Sequence, residues 1–143
     1  MTDSPPATHT RPRLATRLAL WAPVAAWAGV IFWFSTRPAS QIPGRFAEEG
    51  HLGEYAILGA LLYFALRADL PRWRALGVAI VIASLYGVSD EFHQHFVATR
   101  TPDVMDWIAD TVGASVGALV AVMLERLRNA RSDPTRDSAD SPQ

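Results

Sequence analysis

An unbroken run of 18 uncharged residues, "LALWAPVAAWAGVIFWFS" from Leu18 to Ser35, constrains this chain most. A helix needs about 20 mainly apolar residues to cross roughly 30 Å of hydrocarbon. The run reaches that class, and Pro23 near its start is tolerable in a membrane helix. A cleaved signal peptide is the rival reading. The run is too long for a typical apolar signal core, and no small-x-small cleavage site follows before Arg37.

Three more apolar runs follow: Leu52–Ala68, with Glu54 near its start; Ala75–Ser89, uncharged; and Val104–Leu124, with Asp106 and Asp110 in its first two turns. A soluble bundle would show polar outer faces at helical spacing. These runs are apolar nearly all round. The expected fold is therefore all-α: an integral membrane bundle of four transmembrane helices at about 18–35, 52–68, 75–93 and 104–125. The helices make one domain over residues 17–127. The flanks, 1–16 and 128–143, are rich in Pro, Ser, Thr and Asp and read as disordered cytoplasmic tails. "STRPASQIPGRFAEEG", residues 35–50, reads as an irregular outer loop.

Arginine placement sets the orientation. Ten of the 13 arginines lie in the amino-terminal flank, the second connection and the carboxyl-terminal flank. The other two connections hold only Arg37, Arg45 and Arg100. Both termini are thus expected in the cytoplasm of a multi-pass protein of the bacterial plasma membrane. The formal net charge of −1 argues against a nucleic-acid partner. The chain has no cysteine, which removes disulfides, zinc–thiolate sites and thiol nucleophiles. No cofactor is expected, the main partner is the lipid bilayer, and no oligomeric state is specified.

Orientation gives the ionisable residues one address, the extracytoplasmic leaflet. His51 and Glu54 open the second helix and share a face, being three residues apart. Tyr86, Asp90, His93 and Gln94 follow one face of the third helix. Asp106, Asp110, Gly113 and Gly117 make a stripe on the fourth. The last two form "GASVG", a small-xxx-small pattern that lets helices approach closely. Its phase turns both aspartates toward the bundle interior. Ionisable residues in a membrane are functional candidates, since a charge at a helix centre costs roughly 2.5–3.5 kcal/mol to insert. Arg100 is the expected compensating cation. Trp21, Trp33, Trp73 and Trp107 read as interfacial anchors.

The blocks "HLGEYAILG" and "DEFHQHFVATRTPDVMDWIADTVGASVG" resemble those of the VanZ-like membrane proteins. The matching residues are His51, Tyr55, Glu91, Gln94, Arg100, Asp106, Gly113 and Gly117, within a likeness covering about residues 18–125. Two departures stand out. Ala47 and Glu48 occupy the places of a usual Asp-Lys pair, and Asp110 that of a usual asparagine. The resemblance implies a small bacterial membrane protein of the cell envelope, from a family named for resistance to the glycopeptide teicoplanin.

The expected binding cluster is His51, Glu54, Tyr55, Asp90, Glu91, Gln94, Arg100, Asp106 and Asp110, with Gly113 and Gly117 packing helices. It would recognise an amphiphilic or lipid-linked ligand, making the chain a binder rather than an enzyme. Two alternatives stand beside this. One is an intramembrane, metal-dependent hydrolase or transferase using His51, Glu54, Glu91 and His95, although no H-E-x-x-H motif is present. The other is a purely structural cluster tying three helices together.

Overall fold

The computed structural model describes residues 14–38, 41, 44–98 and 100–132, and for 44–49 the backbone alone. The described residues form four helices: α1 (Leu14–Ser35), α2 (Gly44–Arg67), α3 (Arg72–Gln94) and α4 (Val104–Arg131). They hold no strand. The all-α, four-helix expectation holds. Residues 1–13 and 133–143, most of the two expected tails, lie outside the described residues.

α1 and α3 start four and three residues before the expected positions, at Leu14 and Arg72, and two other boundaries differ more. Residues 44–50, expected in an irregular loop, are the first two turns of α2. Gly44, Gly50 and Gly53 disguise this start, because each costs a helix about 1 kcal/mol against alanine. Tertiary packing of the helix outweighs that cost. At the other end, α4 runs past residue 125 through Arg128 to Arg131, where a tail was expected. The segment "ERLRNAR" consists mainly of good helix formers, and its arginines suit the negative end of the helix dipole.

The helices run up, down, up and down. At one end Arg17 of α1 pairs with Asp69 in the α2–α3 turn at 2.6 Å. There Glu125 of α4 also meets Arg67 of α2 at 2.9 Å and Arg72 of α3 at 3.3 Å. The Tyr63 hydroxyl donates to the same carboxylate. At the opposite end the Arg100 Nε donates to the Arg37 carbonyl, and His93 of α3 stacks on Phe32 of α1. Each helix therefore traverses the whole bundle.

By length and composition, α1, α3 and α4 are apolar enough to cross a membrane. α2 falls outside that group. It carries charge in its first turns and Glu54 further in. It traverses the same distance as its neighbours and is the most enclosed helix, with Tyr55, Leu58, Leu62, Tyr63 and Ala65 all buried. A helix shielded by protein needs a less apolar surface than one facing lipid. The outer faces are apolar: Val81, Leu85, Val116, Leu119, Val120 and Met123 are exposed. Such a continuous apolar surface suits a lipid solvent.

The α2–α4 contact is the closest in the bundle. Gly113 lies against the Leu52 carbonyl, Gly117 against that of Ala56, and Gly59 against that of Ala114. A methyl group at any of the three would overlap backbone atoms of the facing helix. The sequence pattern identified Gly113 and Gly117. Gly59 completes the seam from the α2 side, in phase with Leu52 and Ala56. α3 joins through Ala75, Ala79 and Ala83, fully buried at intervals of four. α1 is more peripheral, with only Val24, Ile31 and Ser35 buried. Two cross-helix hydrogen bonds attach it. Trp27 Nε1 donates to the Glu54 carbonyl at 2.8 Å, and the Tyr86 hydroxyl to the Ala28 carbonyl at 2.8 Å.

Candidate functional site: a buried acidic cluster

The close α2–α4 seam positions the centre of the site. Gly113 allows α4 to press against the first turns of α2, and Asp110, one turn earlier, then faces His51. The His51 Nδ1 lies 3.0 Å from the Asp110 Oδ1. Asp110 is fully buried, and its other oxygen, Oδ2, has no hydrogen-bond partner among the described residues. Gly87 of α3 makes room for that oxygen: a Cβ there would stand 2.8 Å from it. Asp106, one turn nearer the helix start, places its Oδ2 3.9 Å from the His51 Nε2.

α3 contributes three more buried polar groups. Gln94 donates from Nε2 to the Asp90 Oδ2 at 3.0 Å, a bond between residues one turn apart. Glu91 continues the line of Ala75, Ala79, Ala83 and Gly87, which faces α4. Its Oε2 accepts from the Asp103 backbone N–H at 2.8 Å, and its Oε1 is buried without a partner among the described residues. Asp103 also caps α4, its Oδ1 accepting from the Met105 N–H. The α3–α4 connection is thus fastened to the cluster through Glu91.

Tyr55, one turn after His51, is fully buried, and its hydroxyl also lacks a partner among the described residues. Buried polar groups are nearly always paired, so three such atoms in one region need a reason. Among the described residues, one ring nitrogen of His51 and one oxygen each of Glu91 and Asp110 lie within 4.8 Å of one another. This grouping overlaps the His51, Glu54, Glu91 and His95 alternative only in part. Glu54 remains half-buried, and His95 is exposed beyond the end of α3 with its ring against Phe96.

Arg100 corrects another expectation. It was expected to balance the aspartates. Among the described residues it has no carboxylate within 4.0 Å, and its Nε donates to the Arg37 carbonyl at 3.2 Å. The α3–α4 connection carries it toward the end of α1. The cluster is therefore acidic, with His51 the basic group at its centre. Trp107 also departs from the anchor reading. It is half-buried and donates from Nε1 to the Ser84 carbonyl at 3.2 Å and hydroxyl at 3.1 Å. Trp21, Trp33 and Trp73 are exposed, as anchors would be.

Beside the cluster a groove of about 230 Å³ runs between α3 and α4. Val88, Pro102, Val104 and Trp107 line it together with Glu91 and Asp103. A mainly apolar groove with two carboxylates in its lining suits a molecule with one greasy and one polar end.

Fold and surface define the class: a multi-pass helical membrane protein with a polar cluster near one end of the bundle. Within that class, residues 20–125 match the VanZ/LLP1 family model, and the chain belongs to that family. It is also similar to an uncharacterized protein, C11E3.10, of the fission yeast Schizosaccharomyces pombe, with 29% identity over 79 residues. The match covers 54% of this chain and 48% of the yeast protein, so the chain spans about half the length of that relative. No solved structure matches the chain.

Proposed function

We propose that this VanZ-family protein is a binding protein of the bacterial plasma membrane, oriented with both termini in the cytoplasm. The arginines Arg17, Arg67, Arg72, Arg74, Arg126, Arg128 and Arg131 gather at one end of the bundle, which supports that orientation. The acidic cluster then lies toward the extracytoplasmic face. Its role in this reading is to receive the polar head of a membrane amphiphile, such as a lipid-linked envelope component. The observation that carries the reading is the mainly apolar groove that Glu91 helps to line. An acyl chain would occupy the groove, and the head would sit against the carboxylates of Glu91 and Asp103. The surplus of carboxylates favours a head that presents an amine or other cation.

Lipid retention tests this. The full chain, purified in mild detergent with a bacterial polar lipid extract, would be examined by native mass spectrometry beside Val88→Trp. The tryptophan fills the groove and leaves the acids themselves unsubstituted. Wild type should retain a lipid that the variant loses. Equal retention by both would sink the reading. A changed teicoplanin susceptibility in cells carrying Val88→Trp at normal abundance would extend the reading to the envelope.

A second reading has its own observation. The His51–Asp110 bond joins α2 to α4 directly, so the cluster also serves as a structural tie. On that reading alone, Val88→Trp changes nothing and His51 substitutions lower folded yield.

A further inference from the structure

We infer that His51, Glu91 and Asp110 form a binding site for a divalent transition-metal ion, of the Zn²⁺ or Mn²⁺ kind. Three helices deliver one donor each: His51 from α2, Glu91 from α3 and Asp110 from α4. The donor atoms lie within 4.8 Å of one another. Tetrahedral ligands at about 2.0–2.2 Å from an ion stand roughly 3.5 Å apart. The group therefore closes on an ion through side-chain adjustments of about 1–1.5 Å.

The unpartnered atoms give independent support. The Asp110 Oδ2 and the Glu91 Oε1 are buried acceptors without donors among the described residues. Asp110 is 0% exposed and Glu91 9% exposed, so bulk water does not readily satisfy them. Both side chains already use one oxygen, for His51 and for the Asp103 N–H, which holds the other in place. Gly87 keeps the space beside the Asp110 Oδ2 clear of side chain. Asp106, 3.9 Å from the His51 Nε2, edges the group with a partly exposed carboxylate.

Charge points the same way. Glu91, Asp106 and Asp110 converge on one histidine, while Arg100 donates to the Arg37 carbonyl. Crowded buried carboxylates repel, and a divalent cation relieves that repulsion. One imidazole with several carboxylates is a hard-to-borderline donor set, which suits Zn²⁺ or Mn²⁺ better than soft ions. The site shares its residues with the amphiphile reading, but the test is run without lipid, so the two can fail separately.

The full chain in detergent, stripped with chelator, would be incubated with Zn²⁺ or Mn²⁺ and desalted. Elemental analysis would then give metal per chain, and thermal unfolding would be followed with and without metal. Wild type should retain about one ion per chain, and bound metal should raise its unfolding temperature, because a ligand that binds the folded state stabilises it. Asp110→Asn and Glu91→Gln, each nearly isosteric, should lower retention at least fivefold and abolish the thermal shift. His95→Ala should change neither. Fewer than 0.1 ion per chain (about a tenth of the one-ion expectation for a bound, folding-linked metal) on monodisperse wild type would overturn the assignment. So would equal retention by wild type and both acid variants. If one acid variant does not fold, the other decides.

Discussion

The glycine seam between α2 and α4 yields a sharp prediction, with controls in the same chain. Gly117→Ala adds one methyl group, directed at the Ala56 carbonyl at a separation no real contact reaches. The obstructing atoms are backbone, so no rotamer change relieves the clash and the helices must move apart. Overpacking of this kind costs about 1–3 kcal/mol. Replacing glycine by alanine within a helix recovers roughly 0.5–1 kcal/mol. The net expectation is a loss of about 1–2 kcal/mol, a factor of roughly 5–30 in the folded-to-unfolded ratio. Gly29, Gly53 and Gly77 have nothing within 4 Å of an added Cβ. Alanine at those positions should be neutral or stabilising by about 0.5–1 kcal/mol. The assay is detergent-solubilised thermal unfolding, read by size-exclusion of the remaining monodisperse fraction after heating. Gly117→Ala should fall below wild type while Gly77→Ala matches or exceeds it. Equal melting of the two variants would falsify the close-approach reasoning.

Two further outcomes follow from the ion pairs at the two ends of the bundle. In metal-free protein, His51→Ala strands the fully buried Asp110 and should cost about 3 kcal/mol, whereas Asp110→Asn preserves a hydrogen-bonding partner and should stay within about 1 kcal/mol of wild type. The same unfolding assay separates them, and equal losses would show that the His51–Asp110 bond does not hold a charge. At the opposite end, Glu125→Ala removes the acceptor shared by Tyr63, Arg67 and Arg72, and should cost about 1–3 kcal/mol. Protease cleavage in the α2–α3 turn should rise with it, and unchanged cleavage and melting would count against the network.

Much of this organisation was legible in the linear pattern. Four apolar runs separated by short polar connections specify four helices, because each run must satisfy its backbone internally. The placement of Gly113 and Gly117 one and two turns beyond Asp110 was readable from the 3.6-residue period. The alanine line that carries Glu91 onto the α4-facing side of α3 is readable in the same way, through Ala75, Ala79, Ala83 and Gly87, although the polar stripe through Tyr86 and Asp90 is the more conspicuous pattern. The start of α2 was obscured by glycines, whose local cost is overridden only by packing that sequence does not display.

Electrostatic partners were less accessible. The linear chain places Arg100 three residues before Asp103 and six before Asp106, and charge balance recommends it as their counter-ion. The fold turns the α3–α4 connection toward α1 instead, so the guanidinium meets a backbone carbonyl and Asp106 and Asp110 are left to His51. Periodicity states which residues share a face of one helix. It carries no information on which atom of a second or third helix that face will meet. Helix number, apolar surface and the stock of buried acids were therefore determined by the sequence alone. That Asp110 meets His51 and lies beside Glu91, with oxygens left unpartnered, was decided by tertiary structure, because glycine-to-carbonyl contact between α2 and α4 sets the register at which the three helices meet.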